Sequence, residues 1–188
     1  MTSRVFIIPD AMDRSTCLRV QAAMDAGVPE PADVLDEKTE LQDTVRRAFH
    51  IEVAGPILDL VGAHLDAQRD AIAAFFHRRL VDREGSGLLR YPAGGFYLPH
   101  VDRADLSSWP PAAERAVSVV LFLDSCRQVD PAGAFSGGLL RMFPDPHGGE
   151  TLEIPPRRGT LVAFPATTRH EVTSVREGRR DAVVDWFR

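Results

Sequence analysis

The sequence predicts a mainly β protein with N-terminal helices, an α+β arrangement in which antiparallel strands form the core and helices buttress one side. Three observations predict it. Before residue 85, apolar side chains recur at helical spacing. After it, glycines and prolines punctuate short alternating segments. The 188 residues also contain no internal repeat and no low-complexity linker, so both patterns are read as one domain, long enough to bury a core without staples. In this reading residues 1–84 are the helical buttress and 85–188 the β core.

The first helix is predicted over "RSTCLRVQAAMDAG" (14–27), with Ser15 or Thr16 as N-cap and Gly27 as the stop. A second is predicted over "TELQDTVRRAFH" (39–50). A third, longer one covers "PILDLVGAHLDAQRDAIAAFFHRRL" (56–80), where Ile57, Leu60, Val61, Leu65, Ile72, Phe75, Phe76 and Leu80 fall on one stripe. Strands are predicted at 116–124, 138–143, 151–154, 160–164, 170–175 and 181–187, each a short apolar or alternating run between turn residues.

Composition narrows the function classes. A net charge of −5 argues against a nucleic-acid grip, which needs a basic face. The two cysteines, Cys17 and Cys126, have neither zinc-site nor disulfide-framework spacing, which fits a reducing, cytoplasmic setting. The start, "MTSRVFIIPD", does not read as a signal peptide, and no apolar run approaches the roughly 18 residues of a membrane span.

Chemistry concentrates in "GGFYLPHVDRAD" (94–105). On extended backbone, side chains two apart share a face, so His100 and Asp102 project together as adjacent ligands of one metal. The chain carries its own control in "AHLDA", where His64 and Asp66 are also two apart but lie within a helical stripe. There a two-residue step turns by about 200° and the side chains diverge. A facial triad needs a third ligand. His147, in "PDPHGGE", reads as a turn histidine; His170 opens "HEVTSV" directly after an apolar strand, and is chosen. Ten residues on, Arg180 heads a strand on whose face Ala182, Val184 and Trp186 also lie. An arginine on an apolar face requires an anionic partner, either an internal carboxylate or a bound one. Arg179 faces the other way, so a register error of one residue would exchange the two roles.

Five segments, "RYPAGGFYLPHVD", "RAVSVVLFLD", "FSGGLLRMFPD", "GTLVAFPATTRHEV" and "GRRDAVVDWF", occur in the order and rough spacing of the prolyl-4-hydroxylase-like iron(II)/2-oxoglutarate dioxygenases. "SGGLLRMFPD" is similar to the oxygen-sensing prolyl hydroxylases in particular, and the resemblance spans residues 90–187. It implies a double-stranded β-helix, the jelly roll of cupins. It also implies iron held by His100, Asp102 and His170, with Arg180 on the distal carboxylate of 2-oxoglutarate and Tyr91 and Ser118 lining the cosubstrate pocket. Arg115 falls where relatives place an arginine near substrate, with a rim charge as the equal alternative. Trp109 and Trp186 are further substrate-side candidates. One departure stands out: Phe122 occupies the position of a tyrosine in the oxygen-sensing relatives, and Ser118 is the candidate replacement hydroxyl.

The implied activity is hydroxylation of an unactivated C–H bond with Fe(II), 2-oxoglutarate and O2, releasing succinate and CO2, with ascorbate as an optional accessory reductant. The implied partner is a small-molecule, amino-acid or peptide substrate, and a prolyl or related moiety is favoured by the resemblance alone. The loops 103–114 and 125–136 are candidates to cover the site. The competing expectation is a non-catalytic jelly-roll module binding a metal or carboxylate.

Overall fold

The structure, a computed structural model, describes residues 5–32, 42–103, 110–143 and 149–188. Most of its strands fall into two antiparallel sheets. The larger has the order β1 (Phe6–Ile8), β11 (Leu161–Pro165), β7 (Val117–Phe122), β14 (Arg180–Phe187), β5 (Gly87–Tyr91), β4 (Phe49–Glu52), β2 (Val28–Pro31). The smaller has the order β10 (Leu152–Ile154), β9 (Leu140–Phe143), β12 (Arg169–Val172), β6 (Phe96–His100), β3 (Arg46–Arg47). A short third ladder joins β8 (Ser136–Gly137) to β13 (Val175–Glu177).

Strand period decides which residues face which layer. On β7, Val117, Val119 and Leu121 join the core beneath the helices, while Val120 and Phe122 point between the sheets. On β14, Asp181, Val183, Asp185 and Phe187 alternate with Arg180, Ala182, Val184 and Trp186. Both aspartates are fully buried and are held by arginines: Arg90 bonds Asp181 at 2.8 Å and Arg83 bonds Asp185 at 2.5 Å. Their charges are thereby compensated on the helix side, leaving the opposite face of β14 to the cavity.

The helices α1 (Arg14–Ala26), α3 (Gly55–Asp66) and α4 (Arg69–Phe76) cover one face of the larger sheet through Cys17, Val20, Met24, Val61, Leu65 and Ile72. Three details differ from the sequence expectation. The N-cap of α1 is Asp13, whose carboxylate accepts the Thr16 N–H at 3.0 Å and also takes the hydroxyls of Ser15 and Thr16. The helix expected at 56–80 is two helices. No large apolar residue lies between Leu65 and Ile72, so nothing anchors the intervening turn to the core, and Asp66 is drawn to Arg83 and Arg69. Third, the helix expected at 39–50 is replaced by one turn, α2 (Gln42–Val45), followed by β3 and β4; residues 39–41 lie outside the described part. The N-terminal half therefore contributes strands to both sheets as well as helices.

Gly27 ends α1 with extended backbone, not a left-handed cap. A glycine is required there because a Cβ would stand 2.3 Å from the Glu52 carbonyl oxygen, where α1 hands the chain to β2. Gly27→Ala should cost about 1–3 kcal/mol of overpacking. Thermal unfolding should show a Tm lowered by about 3–10 °C; an unchanged Tm would mean the α1–β4 approach relaxes freely.

Candidate active site

Within the smaller sheet, one irregularity shapes the site. β12 pairs with β6 so that His170 lies opposite His100 and Val172 opposite Tyr97. Three steps along β6 match two along β12, which is a β-bulge at Leu98–Pro99, where the proline has no N–H to offer the ladder. The extra residue turns Tyr97 onto the same side as His100, and their rings stack at 3.5 Å. Asp102 follows the strand end. Its N–H and that of Arg103 both donate to the Ala166 carbonyl, at 3.1 and 2.9 Å.

His100, Asp102 and His170 present one ligand atom each, all within 4.8 Å of one another. Each imidazole Nδ1 lies on a main-chain carbonyl, His100 on Leu98 at 2.8 Å and His170 on Thr168 at 3.0 Å. A nitrogen facing a carbonyl must carry the proton, so each Nε2 keeps its lone pair for the centre. These Nε2 atoms stand 3.6 Å from Asp102 Oδ1 and Oδ2 respectively. Burial pushes the Asp102 carboxyl up, but the His170 and His100 imidazoles and the Ser118 hydroxyl outweigh it and hold the group well below the usual carboxylate range. Burial likewise pushes His170 down to about 4, so it stays neutral at neutral pH. Two imidazoles and an ionised carboxylate, already oriented by outer partners, fit a divalent transition metal.

Arg180 is 2% exposed, and its Nε and Nη2 have no hydrogen-bond partner among the described residues. Tyr91 and Phe122 flank the guanidinium, with ring centroids 5.0 and 5.4 Å away. Arg180 and the His–Asp–His cluster share one cavity of about 540 Å³, whose walls include Tyr91, Leu140, Val184 and Trp186. Arg179 points out to Asp25 at 2.7 Å and to Asp181. A buried cation with unsatisfied donors beside a cluster that could hold a metal calls for an anionic ligand.

The other expected residues divide. Ser118 donates to Asp102 Oδ2 at 2.6 Å, so its hydroxyl serves the carboxylate. Arg115 is only 4% exposed and is no rim charge: it chelates Glu84, touches the Asp102 carbonyl and stacks on Trp186. Segment 125–136 lines no part of the cavity. It is closed on itself by Arg127 N–H to Phe135 and Ala134 N–H to Ser125, and so does not act as a cover. Trp109, His147 and residues 104–109 of the loop 103–114 lie outside the described residues. His64 and Asp66 do diverge, His64 bonding Leu60 and Asp66 pairing with Arg83. Among the cavity residues that carried no sequence signal are Tyr97, hidden by the bulge, and Glu84, which precedes β5.

Two facing antiparallel sheets holding a His–Asp–His cluster define a jelly-roll metal site of the non-haem type. The chain belongs to the 2OG-Fe(II) oxygenase superfamily, whose family model matches residues 86–188. A PKHD-type hydroxylase of Shewanella oneidensis is 30% identical over 98 residues, covering 52% of this chain but 40% of that relative. The chain thus spans well under two thirds of the length of the curated relatives it matches. A prolyl-4-hydroxylase of Pseudomonas putida superposes with a TM-score of 0.74 at 26% identity, covering 100% of this chain and 93% of that one. A Trichoplax adhaerens prolyl hydroxylase, solved with a hypoxia inducible factor peptide, shares the fold with a TM-score of 0.74 at 18% identity, over 97% of this chain and 82% of that one.

An unpaired buried charge is destabilising, so Arg180→Met should raise the Tm of the ligand-free protein. With Mn(II) present throughout, 2-oxoglutarate at about 100 times its Kd should stabilise the wild type by about a further 2.7 kcal/mol, whereas the variant should keep the Mn(II) shift and gain nothing from the dicarboxylate. A dicarboxylate-induced shift that persists in the variant would move the anion site elsewhere.

Proposed function

We propose that the chain is an Fe(II)- and 2-oxoglutarate-dependent dioxygenase that hydroxylates an unactivated C–H bond and releases succinate and CO2. The observation that carries this reading is the unpartnered Arg180 guanidinium, buried in the same cavity as the His–Asp–His cluster. A metal-binding module alone has no need of a second, anion-seeking group at the cost of a buried charge.

In this reading His100, Asp102 and His170 hold the metal, and Arg180 pairs with the far carboxylate of 2-oxoglutarate. When bound, the ferrous ion supplies oxygen activation coupled to decarboxylation of the cosubstrate. The chain's own residues do the rest. Leu98 and Thr168 keep each imidazole in the tautomer that offers Nε2. Ser118 donates to Asp102 Oδ2, so Oδ1 would be the carboxylate oxygen that holds the metal. Of the two rings that flank the guanidinium, Phe122 carries no hydroxyl and Tyr91 does. Leu140, Val184 and Trp186 exclude water from the reacting centre.

The substrate reading is a prolyl or other amino-acid-like moiety, supported by the prolyl-4-hydroxylase of Pseudomonas putida. No helix among the described residues is long and apolar enough to cross a membrane.

Anaerobic addition of Fe(II) and 2-oxoglutarate should produce a visible charge-transfer band, and air should then yield succinate, accelerated by the true substrate. His170→Ala should abolish both signals, whereas His147→Ala should leave both intact. Binding without succinate under every substrate screened, with the band present, would favour the non-catalytic module. Equal loss in the two histidine variants would displace His170 as the third ligand.

A further inference from the structure

Asp102 is held on three sides, and only one of them involves its carboxylate. Ser118 takes Oδ2. The main-chain N–H is fixed on Ala166, and the main-chain carbonyl accepts Arg115 Nη1 at 3.0 Å. Asp102 lies just beyond the end of β6, where no strand partner holds its carbonyl in a ladder. The guanidinium supplies that restraint.

Arg115 is itself immobilised. Its Nε and Nη2 donate in parallel to the two oxygens of Glu84, at 2.7 and 2.5 Å. Its plane lies 3.7 Å over the Trp186 ring. The Glu84 N–H donates to the Trp186 carbonyl at 2.9 Å, which closes the set: β14 holds Glu84, Glu84 and Trp186 hold Arg115, and Arg115 holds the Asp102 main chain. A planar fork uses every part of this geometry, with two N–H groups on the carboxylate, one on the carbonyl and a flat face on the indole. A lysine can reproduce the charge but not the fork.

We propose that Arg115, with Glu84 as its counter-ion, is a positioning residue for the metal-binding carboxylate, acting through the Asp102 backbone and not by contact with substrate. The inference rests on the reading of His100, Asp102 and His170 as the metal centre. It accounts for an arginine that is buried at the cavity wall yet already chelated. It also gives Trp186 a second duty, since the indole that walls the cavity is the platform on which the guanidinium lies.

The test is metal affinity and spectroscopy on the folded chain. Arg115→Lys and Glu84→Gln should each weaken Mn(II) binding, followed by loss of the free-ion electron paramagnetic signal, by about tenfold or more, the range of outer-partner substitutions at metal centres. Both should also shift or broaden the anaerobic Fe(II)·2-oxoglutarate band, with far-UV circular dichroism unchanged. Glu84→Gln preserves the Arg115 side chain, so it reports on the clamp even if Arg115→Lys folds poorly. Wild-type affinity and an unshifted band in Glu84→Gln, or in a folded Arg115→Lys, would overturn the assignment. A wild type that binds no Mn(II) would instead overturn the reading of the metal centre itself, so the two failures are distinguishable.

Discussion

The site depends on a single cross-strand relation, the pairing of His100 on β6 with His170 on β12 across a bulge. Residues seventy apart in sequence become directly opposed, and each imidazole rests its Nδ1 on the carbonyl two residues before it, Leu98 in the bulge and Thr168 in the turn that precedes β12. Tautomer, separation and orientation therefore come from the backbone around that pairing. A regular ladder would leave Tyr97 on the far side of the sheet and His100 without the ring it stacks on. The bulge is thus a device for aiming side chains, as bulges near functional sites commonly are.

Around that pairing the molecule separates its charges by layer. On the helix side of the larger sheet, buried Asp181 and Asp185 are matched by Arg90 and Arg83. On the cavity side, Arg115 is matched by Glu84, while Arg180 has unsatisfied donors. The contrast is informative because the fold evidently can supply carboxylates to buried arginines, and β14 carries two within five residues of Arg180. Both point the other way. Strand period places acid and base on opposite faces, so neither aspartate of β14 reaches the guanidinium.

Period was the part of this design that could be read in the amino-acid order. Alternation in "RRDAVVDWF" is enough to put Arg180 with Val184 and Trp186, and spacing on extended backbone is enough to join His100 to Asp102 while rejecting His64 and Asp66. Propensity misled where tertiary contact wins. "TVRRAFH" carries helix-compatible residues, yet pairing to β6 draws Arg46–Arg47, and pairing to β5 and β2 draws Phe49–Glu52, into strands. The bulge was invisible because Leu98–Pro99 has no pattern that announces an extra residue. Glu84 was invisible because its value lies wholly in a partner thirty-one positions away. Ser118 could be placed on the inward face by period, but only coordinates reveal that its hydroxyl goes to Asp102.

The last strand of the larger sheet carries a separate consequence. β2 reads "VPEP", pairing with β4 through Val28–Pro31, and a proline tolerated in an edge strand sits with its missing N–H toward solvent. The outer border of this sheet consequently offers acceptors without alternating donors. A foreign strand arriving there cannot complete a ladder, so sheet extension into fibres or strand-swapped pairs is blocked at this border. β1, which closes the opposite border with no proline among its residues, is the side on which the protein must rely on other means to stay apart from its own copies.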